Sequence, residues 1–155
     1  MWFMYSNKNL LYILTILEAT EKIFLYAEGY EDAEVFLEAH EQMNFNACLT
    51  LLIAIGEDSK KLEEALKAEY SEIPWKLIAA FRNRLAHDYR GVDPEITFEI
   101  IRQYLPTLKK VTLKMLKSID YDSQTLEEAL NSHYFKHLDY LKKMLWIIIF
   151  WATLI

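Results

Sequence analysis

Apolar residues recur three and four positions apart along most of this chain, the spacing that lines one face of an α-helix. Leu10, Ile13, Leu14, Leu17, Phe24 and Ala27 form the first such stripe, and Gly29 is positioned to stop it. Asp32 caps a second predicted helix, whose stripe runs through Phe36, His40, Met43, Ala47, Leu51 and Ala54 to a stop at Gly56. On that stripe His40 is expected at the edge of the core, hydrogen-bonded. From Asp58 to Tyr70 the chain is charged and helix-prone, with Leu62, Ala65 and Leu66 as its apolar stripe, which predicts a solvated helical extension or a short connector. Ser71 and Pro74 open a third helix, because proline is tolerated in a first turn whose amides lack partners anyway. Its inward stripe is Trp75, Ile78, Phe81 and Leu85, and Gly91 closes the segment that follows. Asp93 and Pro94 restart the chain as a fourth helix through Ile96, Ile100, Tyr104, Leu108, Val111 and Met115, with a kink expected at Pro106. After the polar break from Asp120 to Ser123, Thr125 and Glu128 have the spacing of a capping box and open a fifth helix.

Composition sharpens the fold class. Three glycines and three prolines in 155 residues leave little turn chemistry for hairpins, so few, long helices and an all-α class are expected. A net charge of -6 argues against a protein that coats nucleic acid indiscriminately, while leaving room for a local basic site. Met144 to Ile155 is almost wholly apolar, yet it falls short of the about 20 residues that cross a bilayer, so no membrane span is expected. Burial against the body of the protein or a partner is the first reading of this run; an interfacial anchor using Lys142, Lys143, Trp146 and Trp151 is the second. Cys48 is the sole cysteine, and Met1 to Tyr5 carries no secretory pattern; both fit a reducing, cytoplasmic setting.

The densest chemistry lies in Ala80-Phe81-Arg82-Asn83-Arg84-Leu85-Ala86-His87-Asp88-Tyr89-Arg90-Gly91. A phosphodiester can be cleaved without metal if one group moves the proton of an attacking hydroxyl and another stabilises charge on the phosphoryl oxygens. Imidazole and guanidinium suit those two tasks, the first by titrating near neutrality and the second by its permanent charge and planar fork. Arg82 and His87 are five apart, however, which separates them by about 140° on an ideal helix. Convergence therefore requires a helix that loosens before His87, an arginine that reaches around, or a second chain. Tyr89 would share a face with Arg82 if the helix persisted that far. On spacing alone, an arginine and a histidine capping a helix end through its free carbonyls is an equal reading.

The ordered set Arg82-Asn83-x-x-x-His87-x-Tyr89 resembles the signature of the HEPN superfamily, specifically its HepT-like toxins. Ile55-Gly56-Glu57, Ile73-Pro74-Trp75-Lys76 and Leu105-Pro106-Thr107-Leu108 resemble flanking steps of that family, and the resemblance covers roughly Leu10 to Lys117. It implies an up-down four-helix bundle over residues 1–120, with an additional C-terminal helix in 121–155 that packs on the bundle or a partner. It also implies a metal-independent endoribonuclease toxin, usually a homodimer with its cleft at the interface, needing no cofactor. In that reading Arg82 binds and polarises the scissile phosphate, His87 is general acid or base, Asn83 orients the pair, and Arg84 and Arg90 contact RNA phosphates. The implied partner is a minimal nucleotidyltransferase antitoxin that transfers AMP to Tyr89, whose added anion would block RNA and repel its phosphates. Asp58 departs from the small residue that more often follows Gly-Glu.

The alternative function is a non-catalytic, substrate-binding bundle that serves a nucleotidyltransferase. His133 and His137, four apart, could share a metal on one helix face, but no third ligand accompanies them and a surface pair is the plainer reading. Glycine-rich phosphate loops, nucleophile elbows and cysteine-rich metal motifs are missing from the sequence.

Overall fold

The computed structural model describes residues 8–144, and among these every regular element is helical. The elements are α1 (Lys8–Tyr26), α2 (Ala33–Glu38), α3 (Met43–Lys61), α4 (Glu64–Glu69), α5 (Trp75–His87), α6 (Pro94–Glu99), α7 (Leu105–Ser118) and α8 (Ser123–Asn131). The long helices pack in the spatial order α7, α1, α3, α5, with the α1–α3 interface the most extensive. The expected all-α bundle is therefore observed. The caps read from sequence recur where they act: Gly29 takes φ +82° after α1, Asp32 accepts from the Val35 amide at 2.9 Å, and Asp93 accepts from the Glu95 amide at 2.9 Å.

The predicted second helix is two helices. His40, Glu41 and Gln42 take φ of 51°, 55° and 68°, and this left-handed turn separates α2 from α3. Phe36 and Phe45 are nine residues apart, so on one continuous helix they would lie about 180° apart. The turn lets both rings enter a single aromatic cluster, with Phe36 centroids 5.2, 5.9 and 5.6 Å from those of Tyr30, Phe45 and Phe98. Each non-glycine left-handed residue costs about 1–2 kcal/mol, which this burial offsets. His40 consequently sits exposed in the turn and not at the core edge. The buried stripe of α3 is Phe45, Cys48, Leu49, Leu52 and Ile55, whereas Ala47, Leu51 and Ala54 are only half-buried and Met43 is exposed. Gly56 does not stop this helix, which continues to Lys61.

Two further expectations are corrected by local geometry. The helix ahead of Pro106 contains a wide turn over Ile100–Tyr104, in which the Leu105 amide bonds the carbonyl of Ile100 five residues back. This turn resets the helical register, so Thr97, Phe98, Ile101, Leu105, Leu108, Val111 and Met115 are buried while Ile96 and Tyr104 are exposed. At α8 the cap is Asp122, which accepts from the Thr125 amide at 3.0 Å and its hydroxyl at 3.1 Å, so the Thr125–Glu128 box does not form. α8 ends at Asn131; His133 lies exposed in the turn beyond it and His137 on a separate short 3-10 helix, Lys136–Leu138, so the two do not share one helix face. Leu126, Leu130, Leu138 and Leu141 bury against the core, and the Tyr140 hydroxyl bonds Glu21 of α1. The apolar run beyond Met144 and the Met1 to Tyr5 segment lie outside the described residues. Among the described residues, no helix is long and apolar enough to cross a membrane.

Two stability predictions follow from these features. Gln42→Gly removes a left-handed strain at an exposed position and is expected to raise stability by up to about 1 kcal/mol, read from denaturant midpoints. Cys48 is fully buried, and that burial pushes its thiol up to about 12. The folded state therefore favours the protonated thiol: this contribution is complete below the ordinary thiol range and declines as pH rises toward 12. Iodoacetamide at pH 8.5 should label Cys48 only after unfolding; rapid labelling of the native protein would contradict this burial.

Candidate active site

α5 is positioned by its packing on α3, and Gly56 is the residue that permits the approach. A Cβ added at Gly56 would overlap the Cβ of Arg82 and stand 2.7 Å from its Cγ. Glu57, the next residue, forms an ion pair with Arg82 Nε, and Arg82 Nη1 donates to Asn83 Oδ1 at 2.9 Å. A guanidinium carries five N–H donors. Glu57 and Asn83 engage two, which fixes the plane of the fork and leaves donors for an anion. The sequence pattern marked the Gly56-Glu57 step but gave no sign that this carboxylate holds Arg82.

The helix does not loosen before His87. α5 runs regularly to that residue, the Asp88 amide closing its last turn on the Arg84 carbonyl at 2.8 Å. Asp88 then leaves helical geometry, and its carboxylate accepts from the Gly91 amide at 3.0 Å to shape a tight turn over Tyr89–Gly91. A side chain at Gly91 would collide with that carboxylate, which explains the glycine. His87 is exposed and has no hydrogen-bond or ion-pair partner among the described residues. The structure thus joins Arg82 to Asn83 and to Glu57, and leaves His87 on a different face of the same helix. Neither Arg82 nor His87 caps the helix end. Arg84 and Arg90 are both exposed beside them.

Tyr89 returns to α3, where its hydroxyl donates to Asn46 Oδ1 at 2.7 Å while 40% of the residue stays exposed. Asn46 lies 43 residues earlier in the chain, and no local signal pointed to it. Arg82 and Tyr89 therefore both face α3, but their partners Glu57 and Asn46 are about 16 Å apart along that helix. The result is an open surface with a tethered arginine, an unengaged imidazole and a docked phenol. Among the described residues no group of three His, Cys, Asp or Glu side chains is placed to hold a metal ion.

The chain is similar in sequence to several known proteins. A protein of Methanocaldococcus jannaschii named "Gamma-glutamylcyclotransferase and putative RNase" is 32% identical over 71% of this chain, and the chain spans 48% of that relative. A second protein of that archaeon, named "Putative RNase", is 29% identical over 70% of this chain and 88% of its own length. "Probable ribonuclease HepT" of Thermococcus cleftensis is 35% identical over 46% of this chain and 64% of its own. No solved structure matches the chain significantly. The model of the family described as "Ribonuclease HepT-like" matches residues 16–115, from the middle of α1 to near the end of α7. That match takes in α5 and the turn carrying Tyr89 as well as the bundle that supports them, so the chain belongs to the HepT-like ribonuclease family.

Proposed function

We propose that the chain is a metal-independent endoribonuclease toxin that cuts RNA with Arg82 and His87 and is silenced by AMP transfer to Tyr89. The observation that carries this reading is the unengaged His87 imidazole at the end of α5, on the helix where Glu57 and Asn83 hold the Arg82 fork. His87 takes the proton of a ribose 2'-hydroxyl, the freed oxygen attacks the adjacent phosphorus, and the bond from phosphorus to the 5'-oxygen breaks; that oxygen takes a proton from solvent while the His87 imidazolium returns its own to solvent, so no proton is gained or lost overall. The products are a 2',3'-cyclic phosphate and a 5'-hydroxyl end, with no water consumed. Arg82 compensates the charge that builds on the phosphoryl oxygens, and Arg84 and Arg90 steady neighbouring phosphates.

A homodimer fits the shape of α5. Leu77 is 69% exposed, and Trp75, Ile78 and Phe81 are only half-buried, leaving an apolar face that a second copy can cover. Such pairing supplies a second His87 and Arg82, which relieves the angular separation of these two residues within one chain. AMP transfer requires that the Tyr89 oxygen attack the α-phosphorus of ATP and release pyrophosphate. The esterified oxygen then has no proton to give Asn46, so the phenol loses its tether on α3 just as it gains an anion beside His87.

His87→Ala is expected to slow cleavage of a labelled RNA by about 10²–10⁴-fold without moving the melting temperature, because the side chain is exposed and unpartnered. Arg82→Lys keeps charge but loses the fork, and should also cut poorly. Undiminished cleavage by His87→Ala would sink the mechanism. Incubation with the nucleotidyltransferase and ATP should add AMP-sized mass increments to the wild type and none to Tyr89→Phe. Persistent increments in that variant would place the modification elsewhere.

A further inference from the structure

The chain's cations are unevenly placed. From Ile100 to Ile119 there is no carboxylate, yet this stretch carries five of the chain's 17 basic residues: Arg102, Lys109, Lys110, Lys114 and Lys117. Two of these are engaged. Arg102 donates to the Tyr30 carbonyl at 3.3 Å and lies over Phe98, and Lys109 pairs with Glu21 at 3.2 Å. Lys110, Lys114 and Lys117 are exposed, and no described carboxylate pairs with them. Their spacing of four and then three residues puts them on one face of α7. Together with Pro106, Lys109 and Leu113 they line an open groove of about 380 Å³.

We propose that this lysine ladder binds the phosphate backbone of the RNA substrate at a distance from the bond that is cut, so that the enzyme acts on long RNAs. The inference rests on the ribonuclease reading above and adds a substrate class to it. Three exposed ammonium groups in a row suit a polyanion, because each meets a phosphate as a point charge and releases its counterions. A protein partner is a poorer match, since protein interfaces are depleted in lysine and favour aromatic side chains and arginine. A lipid surface fits less well again: interfacial helices sink an apolar face into the bilayer, and that of α7, with Leu105, Leu108, Val111, Met115 and Leu116, is spent on the core.

Length sets the substrate class. Pro94 follows closely on the His87 turn, and the chain then runs through α6 and the wide turn into α7. At 1.5 Å per residue, Lys110 is about 24 Å and Lys117 about 35 Å from Pro94 along this path. A stacked strand at ~3.4 Å per nucleotide needs on the order of seven nucleotides to reach the first of them. At that rise a tetranucleotide spans only about 14 Å and falls short of the first lysine.

The test uses the full chain carrying His87→Ala, so that RNA is bound and not consumed, with and without the triple change Lys110→Gln, Lys114→Gln and Lys117→Gln. Circular dichroism and thermal melts check that the fold is kept; Ser or Ala replacements serve if glutamines disturb it. Fluorescence anisotropy then measures binding of a 20-nucleotide and a 4-nucleotide RNA across salt concentrations. For the 20-mer, the triple variant should bind at least tenfold more weakly, and its salt slope should fall by about 2, at about 0.7 for each phosphate that a lysine no longer neutralises. Binding of the 4-mer should be unchanged. An unaltered slope for the 20-mer overturns the proposal, as does an equal weakening for both lengths. Unaltered RNA binding with weakened affinity for polyglutamate would reassign the ladder to an acidic protein and likewise overturn it. The two readings fail separately. If protein with His87 intact leaves RNA uncut while the triple change still lowers the slope, cleavage falls and the ladder stands; cleavage of RNA with an unaltered slope gives the reverse.

Discussion

The close approach of α5 to α3 at Gly56 is the constraint on which the site depends. α5 buries only Leu85 fully, so its own side chains do little to fix where it lies. With no Cβ in the way, Arg82 settles directly against the α3 backbone, and the next residue, Glu57, takes its Nε. Backbone distance and guanidinium orientation are thus set by two adjacent residues in one turn. A half-exposed ion pair adds little net stability, since its attraction is offset by desolvation and side-chain ordering. Its effect is positional: the arginine fork is presented in a single orientation while donors remain free.

Local signals foresaw elements whose cause is local. Gly29, Asp32 and the Asp93-Pro94 pair act as caps because each supplies its own dihedral or its own acceptor. The break at His40 to Gln42 has no glycine, proline or asparagine to announce it; it exists because Phe36 and Phe45 are drawn into one cluster by rings elsewhere in the chain. Gly56 was legible as special but read as a stop, since a glycine that ends a helix and one that admits a neighbour look alike in sequence. Pro106 announced a bend, but not that a wide turn would shift which residues face inward. Asp122 and Thr125 are both competent caps three residues apart, and only the completed turn shows which accepts.

The candidate site divides along the same line. Arg82 through Tyr89 stood out because polar groups of several kinds crowd one short stretch. Their partners did not: Asn46 is remote in sequence, and Glu57 is one carboxylate among many until the helices meet. The helical angle between Arg82 and His87 survives folding, because α5 stays regular to its final residue. A single copy therefore presents the two groups on separate faces, and this is the physical ground for reading the exposed apolar face of α5 as the place where a second copy completes the site.

Net charge is a poor guide to what such a surface can hold. At 0.1 M ionic strength exposed charges are screened over about 10 Å, so a phosphate near Lys114 responds to its immediate neighbours and not to carboxylates across the molecule. A chain of net charge -6 can then carry a positive face, provided its acids are kept off the helix that bears it, as they are from Ile100 to Ile119. The acidic remainder has a consequence of its own. By discouraging polyanions everywhere else, it favours the proposed pair of contacts, the α7 ladder and the arginines around His87, and under that reading a strand held at both places has its direction across the molecule fixed before any bond is cut.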